Sequence, residues 1–85
     1  MPGSADIPEL VVEVRSPGDR WRDIQKKITE YLQAGVLTVV VLDPESNSAH
    51  VFSADDPPRT LGAEDELVLP GILEGFRMRL GRFFE

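Results

Sequence analysis

The sequence predicts a mixed α/β (α+β) domain, with a three-stranded mixed sheet, one main helix and a small β-rich C-terminal extension. A valine-rich stretch at 9–15 and a longer apolar stretch at 36–43 have the composition of strands. Between them, apolar residues recur at helical spacing. A helix of this length is the usual connection between parallel neighbours, so the two strands are expected to lie parallel.

The first strand is expected over Glu9–Arg15 (ELVVEVR), and its side chains alternate between two faces. The face expected to join the core carries Leu10, Val12 and Val14. The opposite face carries Val11 and three charged residues, Glu9, Glu13 and Arg15. Periodicity alone favours a solvated edge strand, with a weak ion pair between Glu13 and Arg15.

The main helix is expected to begin after the break at 16–19, with Ser16 or Asp19 as its N-cap. Gly35 is placed to end it in a left-handed conformation. Its apolar stripe comprises Trp21, Ile24, Ile28, Tyr31 and Leu32. This stripe is expected to pack on the sheet.

Two adjacent lysines, Lys26 and Lys27, lie at the middle of this helix. At about 100° per residue, Lys27 lies about 60° from Ile24 and about 40° from Tyr31, whereas Lys26 points away from the apolar stripe. Lys27 is therefore the lysine that can turn toward the sheet. The alternative is that Lys27 lays its methylenes along the edge of the core and keeps its ammonium group in water.

The run VLTVVVLD at 36–43 is almost entirely apolar and β-branched, which is typical of a central strand buried on both faces. After a turn, residues 49–54 are expected to return antiparallel to it. The short segments RTL and ELVL are expected to be strands of the C-terminal extension. The predicted organisation is a flexible segment at 1–8 and a single domain at 9–85.

Composition excludes several classes of function. There is no cysteine, which excludes disulfides, thiolate zinc sites and a cysteine nucleophile. A cytoplasmic location is the default expectation, and a chain without cysteine is also compatible with export. No apolar run is long enough to span a membrane. The net charge of −6 argues against a broad nucleic-acid surface. Segment 15–27 is nevertheless basic, with five Lys or Arg against two Asp.

An ordered series of short motifs resembles the Uma family of restriction endonucleases, a branch of the PD-(D/E)XK nuclease superfamily. The resemblance runs from Pro8 to Phe84. The motifs are Pro8-Glu9-Leu10-Val11-Val12-Glu13-Val14-x-Ser16-Pro17, Asp23-Ile24-x-x-Lys27-x-x-x-Tyr31, Ala34-Gly35-Val36, Asp43-Pro44-Glu45, Leu69-Pro70-Gly71 and Leu80-x-x-Phe83-Phe84.

This resemblance implies a restriction-endonuclease-like partial fold with a Mg²⁺ (or Mn²⁺) site that hydrolyses DNA. Glu13 would be the acidic residue of the superfamily's (D/E)XK element and a metal ligand, and Lys27 the catalytic lysine that orients the attacking water. Glu9, where the family has Asp, or an acid from a partner would complete the metal site. Tyr31 would be a neighbour of the site, and Arg15 stands where a strand lysine would otherwise lie.

The family's usual chain is about twice as long, so these 85 residues resemble its C-terminal half only. Two functions follow. The first is a truncated metal-dependent DNA endonuclease domain, which needs a homodimer or a missing N-terminal half to complete its site. The second is a non-catalytic remnant or dimerising interaction module, which uses the sheet edge that the missing half would leave open.

Overall fold

A computed structural model describes residues 7–69 and 72–85, with the backbone only at 73 and 74. Residues 1–6 of the predicted flexible segment 1–8 lie outside the described residues, as do Pro70 and Gly71 of the family-like ending. The elements are β1 (Leu10–Val14), α1 (Trp21–Gln33), β2 (Thr38–Asp43), β3 (Ser48–Ser53), β4 (Arg59–Leu61), β5 (Glu66–Leu69), β6 (Leu73–Arg79) and a final 3₁₀ turn (Leu80–Phe84).

The main sheet is mixed and has the strand order β1-β2-β3-β4. β1 runs parallel to β2, as predicted, and β3 returns antiparallel to β2. The expectation of three strands is wrong by one, because Arg59–Leu61 pairs with β3 and does not join the extension. The β-rich extension is confirmed as a separate two-stranded sheet of β5 and β6.

The start of α1 differs from the prediction and its end agrees with it. Arg20 is the N-cap and makes no side-chain capping hydrogen bond. The Asp19 carboxylate instead accepts a hydrogen bond from the Ser16 backbone N–H at 2.9 Å, so neither predicted residue caps the helix. Gly35 has a φ of 109°, a backbone conformation that favours glycine and ends the helix.

β2 separates two apolar clusters and is buried on both faces, as its composition predicts. On one face, Ile24 and Ile28 of α1 pack with Val39 and Val41. The other face is covered by the extension, whose Leu80 is 0% exposed. Within the described residues, no helix has both the length and the apolar character that a membrane crossing requires.

β1 presents its faces differently from the prediction. The face with Val11 and Glu13 is turned toward α1, since Val11 packs with the cluster beneath the helix. On the expected core face, Leu10 packs against the cluster between the sheet and the extension, but Val12 is 51% exposed and Val14 is 58% exposed. The prediction that all three join the core is therefore wrong, because the extension packs over β2 and β3 and reaches only Leu10 of β1.

Candidate functional site

Glu13 and Lys27 approach each other between the edge strand and the main helix. The Lys27 Nζ atom lies 4.0 Å from Glu13 Oε1. The strand places Glu13 under the helix because Val11, two residues earlier, anchors the same face in the core. The helix places Lys27 on its flank next to Ile24 and Ile28, which are both buried. The two charged groups therefore meet at the margin of the core.

Both side chains remain open to solvent, because the Glu13 side chain is 31% exposed and the Lys27 side chain is 63% exposed. They line a cleft of 60 Å³ beside the sheet edge. Its walls also include Val14, Arg15, Asp19, Asp23, Ile24, Ile28 and Val41. Glu13 and Lys27 thus border a small cleft with both apolar and charged walls, whose volume is far below the roughly 300–1,000 Å³ of a typical small-molecule site.

Tyr31 holds the Glu13 carboxylate from the helix. Its hydroxyl donates a hydrogen bond to Glu13 Oε1 at 2.7 Å. This hydrogen bond is the main reason that the pKa of Tyr31 lies above its ordinary value of 10.0, and burial and the negative charges of Glu13 and Glu30 add to the shift. Tyr31 and Lys27 both approach Oε1, and among the described residues no hydrogen bond is made to the second carboxylate oxygen of Glu13.

Arg15 forms its ion pairs with residues other than Glu13. Its Nη1 atom lies 3.4 Å from Asp43 Oδ1 and 3.3 Å from Glu45 Oε2. Its guanidinium also stacks over the Trp21 ring, 5.4 Å from the ring centre. The prediction of an ion pair between Glu13 and Arg15 is therefore wrong. Arg15 instead links the end of β1 to the end of β2 and the turn that follows it.

Glu9 does not meet Glu13 within one chain. It precedes β1, is exposed and is not among the residues that line the cleft. The two acids are offset by four positions of extended backbone, which places their Cα atoms about 13 Å apart along the strand. The structure thus brings together Glu13, Lys27 and Tyr31, and leaves Glu9 at the far end of the strand.

The donor set of one chain fits a magnesium ion incompletely. Mg²⁺ prefers carboxylate oxygens in near-octahedral geometry and is usually held by one or two carboxylates together with waters and phosphate oxygens. Glu13 is suitable as one such ligand. Among residues 7–69 and 72–85, however, no group of three His, Asp or Glu side chains is placed to hold a metal ion.

Two acids of the cleft were missed by sequence reasoning, Asp19 and Asp23. Asp23 carried a usable signal, because it precedes Lys27 by four residues and so lies on the same flank of the helix. There is no comparable sequence signal for Asp19, because an Asp just before a helix is more commonly expected to be its N-cap. Its carboxylate closes the turn at 16–19 and borders the cleft from there.

The comparisons with known proteins agree with this architecture. Residues 4–81 match the family model Uma2, described as "Putative restriction endonuclease". The structure is similar to the crystal structure of "a putative nuclease belonging to DUF820" from Anabaena variabilis, with a TM-score of 0.79 at 16% sequence identity.

That alignment covers 89% of this chain and 43% of the Anabaena chain, so the present chain spans less than half the length of its structural neighbour. No curated protein matches the chain. The fold and the family match are both nuclease-like. Because the match covers nearly the whole sequence, the chain belongs to the Uma2 family of restriction-endonuclease-like proteins.

Proposed function

We propose that this chain is a nuclease domain that hydrolyses DNA phosphodiester bonds with the help of Mg²⁺ or Mn²⁺. The observation that carries the proposal is the approach of the Glu13 carboxylate and the Lys27 ammonium group to 4.0 Å at one cleft. A divalent ion held at Glu13 would supply the positive charge that polarises a phosphodiester.

The chain's own residues have separate roles in this reaction. The water oxygen forms a bond to phosphorus, the bond from phosphorus to one sugar oxygen breaks, the water loses a proton and the leaving oxygen gains one. Lys27 offers three N–H donors and orients the attacking water, or stabilises the negative charge that develops on phosphate oxygens. Tyr31 keeps the Glu13 carboxylate in place through its 2.7 Å hydrogen bond.

DNA as the substrate is compatible with the local charge beside the cleft. The chain as a whole carries −6, but segment 15–27 has five basic residues against two acidic ones. Three of the basic residues, Arg20, Arg22 and Lys26, are outside the cleft lining, which itself has Arg15 and Lys27 against Glu13, Asp19 and Asp23. A local excess of positive charge attracts the phosphate backbone even when the total charge is negative. A cytoplasmic location, where DNA is accessible, belongs to the same proposal.

Homodimerisation also belongs to the proposal, because β1 is an edge strand with an exposed apolar face. Such an edge favours pairing with another chain. The second candidate function is a dimerising module without catalytic activity. The exposed edge of β1 is the one observation that supports it. The two candidates differ in whether the Glu13–Lys27 pair is needed for anything beyond the fold.

The deciding experiment is plasmid nicking by the purified chain with Mg²⁺ or Mn²⁺. Lys27→Ala is expected to lower the nicking rate by about 10²-fold or more, the usual effect of removing one well-placed donor. Lys26→Ala removes the same charge from the solvent side of the helix and measures the general electrostatic contribution. Both variants should keep their free energy of unfolding within about 0.5 kcal/mol, as is usual for surface positions.

Two results would contradict the catalytic proposal. The first is nicking by the wild-type chain that does not exceed that of Glu13→Gln. The second is an equal loss of rate in Lys27→Ala and Lys26→Ala, which would indicate unspecific attraction of DNA. Circular dichroism of each variant checks that a loss of rate is not a loss of fold.

A further inference from the structure

We propose that β1 pairs antiparallel with β1 of a second copy, with Val12 on the two-fold axis, and that the partner's Glu9 thereby joins Glu13 at the cleft. The part of this inference that concerns the metal site rests on the proposed function. The pairing itself does not, because it follows from the backbone, the exposed side chains and the charges of the edge strand.

The outer edge of β1 offers unpaired backbone groups. The Arg15 N–H donates to Leu42 O at 2.8 Å, and Glu9 O accepts from the Thr38 N–H at 3.1 Å. Odd-numbered residues therefore direct their backbone groups toward β2, and Leu10, Val12 and Val14 direct theirs outward. Within the described part of the chain, β1 has no strand on that side.

The same even-numbered residues expose apolar side chains, since Val12 is 51% and Val14 is 58% exposed. An added strand would satisfy the outward backbone groups and cover these valines at once. β-Strand addition to an open edge is a recurrent mode of protein association. The edge has no charged side chain on its apolar face to prevent such pairing.

Repulsion between like charges decides in which register the second copy of β1 can pair with the first. The outward residues must oppose one another, so the axis lies at Val12 or one residue to either side of it. An axis at Val11 would oppose Glu9 to the partner's Glu13, and an axis at Glu13 would oppose the two Glu13 carboxylates. Both place like charges in direct opposition. With the axis at Val12, no like charges are in direct opposition: Leu10 opposes the partner's Val14, and Glu9 opposes the partner's Arg15, a residue that is also paired with Asp43 and Glu45 of its own chain.

The helices leave room for this arrangement. α1 packs over β2, with Ile24 and Ile28 against Val39 and Val41. Three strand spacings of about 4.8 Å place β2 about 14 Å from the partner's β2. Packed helices need an interaxial distance of only about 8–10 Å, so the two copies of α1 do not collide. The clefts of the two copies then open into the space between the helices.

The consequence for the site is a second carboxylate. In the Val12 register, Glu13 opposes the partner's Val11. Its diagonal neighbours on the helix side of the sheet are the partner's Glu9 and the partner's Glu13, each at a Cα separation of about 7–8 Å. Glu9 of the same chain is about 13 Å away. Two glutamate side chains at the shorter separation can reach a shared ion. The partner's Glu9 would thus supply the acid that one chain lacks.

The pairing can be tested by cross-linking, because the natural sequence contains no cysteine. Val12→Cys would place two thiols across the axis at a Cα separation of about 5.5 Å, within the range of a disulfide. Val14→Cys is the matched control on the same face, about 13 Å from its own copy. We expect oxidation to give a covalent dimer of Val12→Cys in high yield and little of Val14→Cys.

Sedimentation of the wild-type chain should show a dimer, and Val12→Lys should shift it to monomer. Leu37→Lys, at a residue that is 53% exposed and outside β1, should leave the dimer intact. A wild-type monomer, equal cross-linking of the two cysteine variants, or stable association with a different polypeptide in place of a second copy would overturn the pairing.

The composite site is tested by mixing Glu9→Ala with Glu13→Ala and measuring Mn²⁺ binding and nicking. Each variant alone should lack complete sites. The mixture should regain roughly a quarter of the wild-type signal, because half of the random dimers are mixed and each mixed dimer holds one complete site. No recovery, with the wild type binding Mn²⁺, would mean that the two acids do not act across the dimer.

The cross-linking, Mn²⁺-binding and nicking experiments distinguish a failure of the pairing, of the composite metal site and of the proposed function. If the wild type binds no Mn²⁺, the composite site is overturned, while the Val12→Cys cross-link still decides the pairing. If the dimer and the metal site are both present but no DNA is nicked, the proposed function fails and the inference stands.

Discussion

The hydrogen bond between Tyr31 and Glu13 can be removed with little other change by Tyr31→Phe. The Tyr31 hydroxyl lies 2.7 Å from Glu13 Oε1, and the ring would stay against the apolar cluster between α1 and the sheet in the variant. A typical hydrogen bond contributes about 0.5–1.5 kcal/mol net, and one to a charged group contributes about 1.5–3 kcal/mol, so the combined range begins near 1 kcal/mol for a charged group that is partly exposed. Because the Glu13 side chain is 31% exposed, the lower end applies, and we expect a loss of about 1–1.5 kcal/mol.

Urea denaturation measures this loss directly. For a domain of this size, an m-value of about 1 kcal/mol/M converts the loss into a fall of the midpoint by about 1 M. The double-mutant cycle with Glu13→Gln isolates the pair, and the coupling energy should account for most of the effect. An effect of Tyr31→Phe that is the same in the wild-type and Glu13→Gln backgrounds would refute the assigned hydrogen bond.

The hydrogen bond between Tyr31 and Glu13 also makes the stability of the fold depend on pH. The hydrogen bond to Glu13, more than burial, raises the pKa of Tyr31 above 10.0. A raised pKa in the folded state means that the stabilisation is complete below pH 10.0 and is lost as the pH rises through the raised value. Tyr31 is the only tyrosine, so phenolate absorbance in metal-free buffer reports on it alone. Identical titrations of the wild type and Glu13→Gln would contradict this cause.

Three further substitutions test the packing around the site by denaturation. Asp43→Asn weakens the contact with Arg15 at the end of β1, and we expect a loss of about 1–3 kcal/mol because Asp43 is buried. Leu80→Ala should lower the free energy of unfolding by about 2–5 kcal/mol, since Leu80 is completely buried between the main sheet and the extension. Gly35→Ala should cost about 1 kcal/mol or more, because φ is 109° there. Losses below about 0.5 kcal/mol would contradict the respective contacts.

The central part of the fold was predictable from sequence because its signals are local. The run that contains Val39, Val40 and Val41 is apolar without interruption, which specifies burial on both faces. The periodicity of the helix fixed its packing face, and the same angle selected Lys27 over Lys26. The approach of Lys27 to Glu13 agrees with that selection.

The exposure of β1 was not predictable, because alternation identifies two faces but not which elements cover them. Val12 and Val14 have the residue type of core positions, yet the extension stops short of them. Arg59–Leu61 was misassigned for a related reason, since three residues are too few to show a period and their partner, β3, is set by tertiary pairing.

The partners of Arg15 also depend on tertiary structure. The parallel pairing of β1 and β2 brings Arg15 beside Asp43, which is 28 residues away in sequence. Sequence proximity favoured Glu13 as its partner instead. The same pairing leaves Glu13 without its nearest arginine and available to Lys27 and Tyr31.

The most direct measurement of the Glu13–Lys27 site is an NMR titration of the chain with Mn²⁺, whose unpaired electrons broaden nearby resonances. We expect the strongest broadening at Glu13, Val14 and Lys27, and its loss at these residues in Glu13→Gln. Broadening centred on the exposed acids Asp55 and Asp56, or an unchanged pattern in Glu13→Gln, would contradict a metal-binding site at Glu13.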